Sequence, residues 1–214
     1  MTNEVRQCDN MDYMATVPDG YFELAIVDPP YGIGISDNPV RQQHEKKEWD
    51  KGIPTKEYFD ELKRISKNQI IWGGNYFLDY LGKTQNVIVW DKKQPENFSL
   101  AMVELAWCSI QSPAKMFRYS VLTERGKIHP TQKPVALYKW LLKNYAKPGY
   151  KIFDSHVGSG SSRIACYDMG FDFIGCELDA DYWDAQEKRY KDYTSQIDLF
   201  GGAELQKNIY KGGE

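Results

Sequence analysis

The sequence predicts an α/β fold: a doubly wound, mostly parallel sheet with an antiparallel edge, built as a single domain. Two observations carry the prediction. Short apolar runs that end at aspartate, proline or glycine alternate with segments of helical period, and one such run passes through a glycine-rich turn straight into a helix. A third observation bounds it: 214 residues, 42% of them hydrophobic, supply one well-buried core and are short for two.

The elements follow in order. Residues 24–27 form an apolar run stopped by Asp28, Pro29 and Pro30. Residues 55–67 place Tyr58, Phe59, Leu62 and Ile65 at helical spacing, with Pro54 before them and Thr55 as N-cap. A second run, 69–72, ends at Gly73 and Gly74; these either open the backbone to a ligand or make a tight turn with Asn75 as the next N-cap. Runs 86–90, 102–110 and 114–119 supply the strands of a mixed edge, interrupted by the polar stretch 91–99. Helix 135–145 is stopped by Pro148 and Gly149, and strand 151–154, helix 161–169, strand 171–176 and helix 179–193 complete the alternation. The domain therefore spans 1–193, with 36–52 as a mobile loop and 194–214 as a tail.

Composition narrows the partners and the compartment. The apolar runs are far shorter than the roughly 20 residues of a membrane span, and the N-terminus lacks an apolar signal core, so a cytoplasmic location is expected. Cys8, Cys108, Cys166 and Cys176 form no C-x-x-C pair, which points to free thiols and to no metal site. A formal net charge of −3 gives no global attraction to a phosphate backbone. Any nucleic-acid contact must come from local cations, of which Arg41, Lys46, Lys47, Lys51, Lys92, Lys93, Arg118, Arg125 and Lys127 are the candidates.

Two motifs carry chemistry. Asp28-Pro29-Pro30-Tyr31 stands directly after an apolar strand, where open α/β sheets bind ligands. Asp154-Ser155-His156-Val157-Gly158-Ser159-Gly160 ends another strand in a turn that a ligand can approach closely, and Glu177 ends the next strand about 20 residues on, placed for ribose hydroxyls. Ser161 and Ser162 stand where a P-loop would carry its lysine, so a nucleoside cofactor without a triphosphate fits better than ATP.

Together with His129-Pro130-Thr131-Gln132-Lys133-Pro134, these motifs resemble the amino-group DNA methyltransferases of the permuted class, in which the aspartate-proline-proline-tyrosine motif precedes the glycine turn. The resemblance spans about residues 7–190 and implies S-adenosylmethionine as cofactor and duplex DNA as substrate. It assigns catalysis to Asp28, Pro29, Pro30 and Tyr31, and cofactor binding to Asp9, Thr131, Lys133, Asp154, Ser155, His156, Gly158, Ser159, Gly160 and Glu177. It implies restriction-modification as the setting, and adenine N6 over cytosine N4. Methylation of RNA or protein, or a non-catalytic DNA-binding module, are the other readings.

The chemistry suits the residues. A nucleobase amine is a poor nucleophile because its lone pair is delocalised into the ring; Asp28 can accept one amino proton and a proline carbonyl the other, while Tyr31 offers a stacking face to a flipped base. The family's usual Asp-Pro-Phe is Asp154-Ser155-His156 here, and His156 is expected to pack or hydrogen-bond rather than to act as a base. Tyr182 and Arg189 also match the family's ending, although packing and surface charge explain them as well. Segment 92–127 is expected to read a short DNA site. Gln196-Ile197-Asp198-Leu199-Phe200 resembles the peptide by which bacterial proteins bind the sliding clamp; it either docks there or folds back on the core.

Overall fold

The structure, a computed structural model, describes residues 1–33, 52–95, 101–120, 128–129 and 131–199, with side chains as far as Ser195 and Gln196. One eight-stranded sheet organises it, in the order β1-β8-β7-β2-β3-β5-β4-β6. In chain order the strands are β1 (Asn3–Gln7), β2 (Leu24–Val27), β3 (Gln69–Trp72), β4 (Asn86–Asp91), β5 (Val103–Cys108), β6 (Lys115–Arg118), β7 (Lys151–Asp154) and β8 (Asp172–Glu177). The helices are α1 (Asn10–Ala15), α2 (Lys56–Ile65), α3 (Leu78–Leu81), α4 (Val135–Tyr145), α5 (Ser161–Met169) and α6 (Ala180–Leu199).

The central strands read as unbroken apolar runs because both faces are covered. Leu24 and Ile26 of β2 pack with Leu137, Leu141 and Ala165 of α4 and α5, whereas Ala25 and Val27 pack with Phe59, Leu62 and Ile65 of α2. Strands β1, β8, β7, β2 and β3 all pair in parallel, so their carboxyl ends share one edge. From β2 the chain winds through α2 to β3; from β7 it winds through α5 to β8, in the opposite direction along the sheet. The reversal falls between β7 and β2, which pair directly through Leu24–Ile152 and Ala25–Phe153. A switch point of this kind leaves a crevice outside the strand ends. The antiparallel component lies toward the β6 end: β5 runs against both β3 and β4, while β6 is parallel to β4.

Most of the expected element boundaries agree with the structure to within a few residues; β1, α1 and α3 are not among the expected elements, and three further features differ. Thr55 occupies the N-cap position of α2 but makes no side-chain cap hydrogen bond. Asn75 is no N-cap: Gly73, in the left-handed region at φ 69°, starts a 3-10 turn over Gly74–Tyr76. The last helix continues past Tyr193 to Leu199, because no glycine or proline interrupts it before Gly201. Gln196 to Leu199 are thus helical backbone rather than an extended tether, and Phe200 lies outside the described residues. The loop expected at 36–52 lies outside them too, save Gly52. The four cysteines are free thiols, and no helix among the described residues is long and apolar enough to cross a membrane.

Candidate active site

The crevice at the β7/β2 switch point is a cavity of about 350 Å³. Its wall takes Asp28 and Pro30 from the end of β2, Ser155 to Ser159 from the turn after β7, and Glu177 to Asp179 from the end of β8. The segment before α4 closes it with His129, Thr131, Gln132 and Lys133, and Asn10 and Tyr182 enter from α1 and α6. Both sequence motifs and the His129–Lys133 segment therefore meet at one place.

The glycine turn is held from three sides. Glu177 accepts from Gly158 N at 2.8 Å through one oxygen and from Asp179 N at 3.0 Å through the other. Asp154 accepts from His156 N at 3.1 Å and from the Ser162 hydroxyl at 2.6 Å. Arg189 donates to Ser159 O at 2.7 Å and to Ser161 Oγ at 3.0 Å, so its role is to brace the turn rather than to charge the surface. Gly158 sits at φ 52°, where a side chain would be strained and would point toward the His129 ring. His129 in turn lies against Tyr182, ring centroids 4.4 Å apart.

His156 and Ser155 form a polar network. The Ser155 hydroxyl lies 2.8 Å from His156 Nδ1 and 2.6 Å from the Tyr58 hydroxyl, and Asn10 Nδ2 lies 3.2 Å from His156 Nε2. Burial pushes the imidazole down to about 4, so it is neutral at pH 7 and presents a hydrogen-bonding ring rather than a charge. Burial pushes the Asp154 carboxyl up to about 7.

The Asp28-Pro29-Pro30-Tyr31 motif is tied into a buried ion cluster. Asp28 Oδ1 accepts from the Tyr31 hydroxyl at 2.5 Å, and Oδ2 accepts from Lys133 Nζ at 2.5 Å. Lys133, 3% exposed in its side chain, also reaches Glu104 at 3.0 Å, and Lys92 reaches the other Glu104 oxygen at 2.5 Å. Burial raises the Asp28 carboxyl and Glu104 adds to this, against the pull of Lys133. Burial works on Glu104 in the same direction, but the two lysines outweigh it and hold this carboxyl down to about 2.

Tyr31 stacks on Tyr76, centroids 5.2 Å apart and planes 19° from parallel, and Tyr76 is 44% exposed. Of the two glycines after β3, the first makes this packing fit. A Cβ on Gly73 would fall inside the Tyr31 ring contact, and one on Gly74 would strike Trp107. Without side chains, Gly73 admits the Tyr31 ring and Gly74 the backbone and Cβ of Trp107, besides making the tight turn expected after this strand.

The structure places several of the assigned residues in other pairings or away from the cavity wall. Lys92 is buried against Glu104 and is no phosphate contact, because its charge is already neutralised inside the protein. Lys133 borders the cavity but spends its ammonium on Asp28 and Glu104. Asp9 is exposed and caps α1, accepting from Met11 N at 2.7 Å, and its neighbour Asn10 faces the cavity. Asp154 and Gly160 lie behind the wall; Gly160 begins α5 against Gln186. Segment 92–127 contributes β5 and β6 to the sheet, with Lys93 and Arg118 exposed at its ends. Arg41, Lys46, Lys47, Lys51, Arg125, Lys127 and Pro130 lie outside the described residues.

A doubly wound sheet that sets a strand-end carboxylate, a glycine turn and a second strand-end carboxylate around its switch-point cavity belongs to the Rossmann-like class of ligand-binding α/β domains. Within that class, the family described as DNA methylase matches residues 71–188, more than half of the chain, and the chain belongs to that family. Type II methyltransferase M.HinfI of Haemophilus influenzae is 24% identical over 246 residues, covering 89% of this chain and 68% of that protein. The crystal structure of the M1.HpyAVI-SAM complex superposes with a TM-score of 0.63 at 19% identity, covering 87% of this chain and 98% of that one. PvuII DNA methyltransferase (cytosine-N4-specific) superposes with a TM-score of 0.62 at 12% identity, covering 92% and 93%. Both likenesses are of fold.

Proposed function

We propose that the protein transfers a methyl group from S-adenosylmethionine to an exocyclic amino group of duplex DNA, with adenine N6 as the target. The observation that carries this reading is the convergence of Asp28 with the Gly158 turn and Glu177 on one cavity. The residues fit the cofactor: a strand-end carboxylate suits ribose hydroxyls, the glycine turn lets a ligand lie against backbone, and Leu178, Val157 and Tyr182 supply apolar wall. Bound there, S-adenosylmethionine supplies an electrophilic methyl on a sulfonium.

The chain's own part is to make the amine a better nucleophile and to position it. Asp28 and a carbonyl of the Pro29-Pro30 pair accept the two amino protons, which favours a more tetrahedral nitrogen with its lone pair available. The Tyr31 hydroxyl orients the carboxylate at Oδ1. A base inside a duplex cannot reach this depth, so the target must be flipped, and the Tyr31-Tyr76 stack gives it an aromatic surface beside Asp28. A raised carboxyl at Asp28 suits it to take the proton that the methylated amine gives up.

Aspartate at the head of the motif favours adenine, by resemblance. The fold shared with an enzyme named as cytosine-N4-specific supports cytosine N4 as the second reading. Calorimetry with S-adenosylmethionine, followed by competition among duplex DNA, RNA and protein for methyl label, tests the proposal. Cofactor binding with label on DNA alone is expected; label only on RNA or protein would replace the substrate. Clamp binding through Gln196, Ile197, Asp198, Leu199 and Phe200 requires the last turn of α6 to unwind, and clamp affinity unchanged by Leu199→Ala with Phe200→Ala removes that idea.

A further inference from the structure

Asp28 is engaged at both oxygens, and its partner Lys133 is itself shared. The ammonium lies 2.5 Å from Asp28 Oδ2 and 3.0 Å from Glu104 Oε2, in a side chain 3% exposed. Lys92, 7% exposed, lies 2.5 Å from the other Glu104 oxygen, Oε1. The cations lie against aromatic rings: Lys133 is 5.3 Å from the centroid of Trp72, and Lys92 is 5.4 Å from that of Trp90. Trp72 and Trp90 are buried, so salt screens this row of four charges weakly.

The topology explains how a distant acid arrives here. Strand β5 is antiparallel to both its neighbours, so its first residues, not its last, lie at the carboxyl edge of β3. Ala106 pairs with Trp72, the last residue of β3, and Glu104 precedes it by one turn of the pleat, beyond the end of that strand. Lys92 follows β4 at the same edge.

We propose that Glu104 is a positioning residue that gives the Lys133 ammonium a second seat, so that Asp28 Oδ2 is released to the target amine while Lys133 stays charged and paired. This rests on the reading of Asp28 as the acceptor for that amine. In the resting site Lys133 occupies the acceptor position on Oδ2. When the amino group enters, the ammonium shifts from Asp28 onto Glu104, its charge remaining compensated. Asp28 then faces the substrate as a stronger acceptor. Beside Glu104, the titratable groups facing this exchange are Asp28, Lys133, Lys92, Tyr31 and Tyr138, with Asp154 and Tyr58 behind Asp28.

Glu104→Gln alone leaves a buried lysine short of its counter-charge and can unfold the protein. The informative protein is the double variant Lys92→Met with Glu104→Gln, which removes one charge of each sign and keeps the Asp28–Lys133 pair. The full-length double variant is compared with wild type by melting temperature, cofactor affinity, kcat and KM on duplex DNA, and by NMR titration of 13C-labelled aspartate carboxyls. The expected result is intact folding and cofactor affinity, a kcat lowered by about ten-fold or more with little change in KM, and an Asp28 resonance that titrates at lower pH. Lys92→Met alone keeps Glu104 but leaves the cluster one positive charge short, so it is compared where its melting temperature matches wild type, and there it is expected to retain most of kcat. Unchanged kcat in an active enzyme overturns the proposal, whatever the resonance does. If wild type methylates no DNA, an unmoved Asp28 resonance overturns it, whereas a moved one supports the coupling and condemns the DNA reading instead.

Discussion

Asp28 and Glu177 are both carboxylates at strand ends, and their surroundings give them different work. Asp28 lies among Tyr31, Lys133 and Glu104, with side-chain partners that an incoming amine can share or displace. Glu177 accepts from two backbone amides and so fixes the turn that a cofactor would contact. Asp28→Ala is expected to lower methyl transfer by about a hundred-fold or more while leaving cofactor affinity within a few-fold, since Lys133 keeps Glu104 as partner. Glu177→Ala is expected to do the reverse first: calorimetry should show cofactor affinity weaker by about ten-fold or more, the scale of a lost charge-assisted hydrogen bond. Equal effects of both changes on cofactor affinity would contradict this division. Asn10 was not legible from the sequence beside Asp9, because the direction of two adjacent side chains at a helix start is set by which of them caps.

Among elements, the turn after β3 and the strand β5 pack around Tyr31 and Lys133, on the side proposed for the substrate. Gly73 carries a left-handed backbone and lies under Tyr31, so Gly73→Ala both strains the turn and pushes into the ring. A loss of about 1–3 kcal/mol is expected in denaturant unfolding, with methyl transfer impaired through the displaced Tyr31. Tyr76, exposed and stacked on Tyr31, should behave differently. Tyr76→Ala is expected to leave the melting temperature nearly unchanged and to raise KM for DNA by about ten-fold, as the loss of one base-stacking ring would. A KM within two-fold of wild type would remove Tyr76 from the base-binding surface. Strand β5 was predicted as a strand, but its lone acid in an apolar run gave no sign of its partners. Glu104 meets Lys133 and Lys92 only because β5 inserts antiparallel between β3 and β4, a pairing that short-range patterns do not encode.

Across the whole molecule, the parallel half was readable because each βα unit announces itself locally: an apolar run, a turn of characteristic residues, a helical period. The same locality made Asp28, the Gly158 turn and Glu177 readable, since each follows directly from a strand end. Their meeting on one cavity follows from the pairing of β7 with β2, which only the assembled sheet provides. Burial at this junction also leaves a mark on folding. The folded Asp154 carboxyl, at about 7, lies above the unfolded value of about 4. The folded state therefore binds this proton more tightly; the stability it contributes is present below pH about 4 and is lost as pH rises through about 7. Asp154→Asn keeps an acceptor for His156 N and a partner for Ser162, so its melting temperature should gain on wild type between pH 5 and pH 8. A constant difference across that range would show that Asp154 ionises as freely folded as unfolded.

The most direct measurement is transfer of a radiolabelled methyl group from S-adenosylmethionine to unmodified duplex DNA, with nucleoside analysis of the product, for wild type and Asp28→Ala side by side. Labelled N6-methyladenine that disappears in the variant is the predicted result. Label in N4-methylcytosine would move the target within the same chemistry. Wild-type protein that binds the cofactor and labels no DNA would contradict the DNA substrate, and a variant that labels as fast as wild type would contradict the assignment of Asp28 as the residue that activates a nucleobase amine.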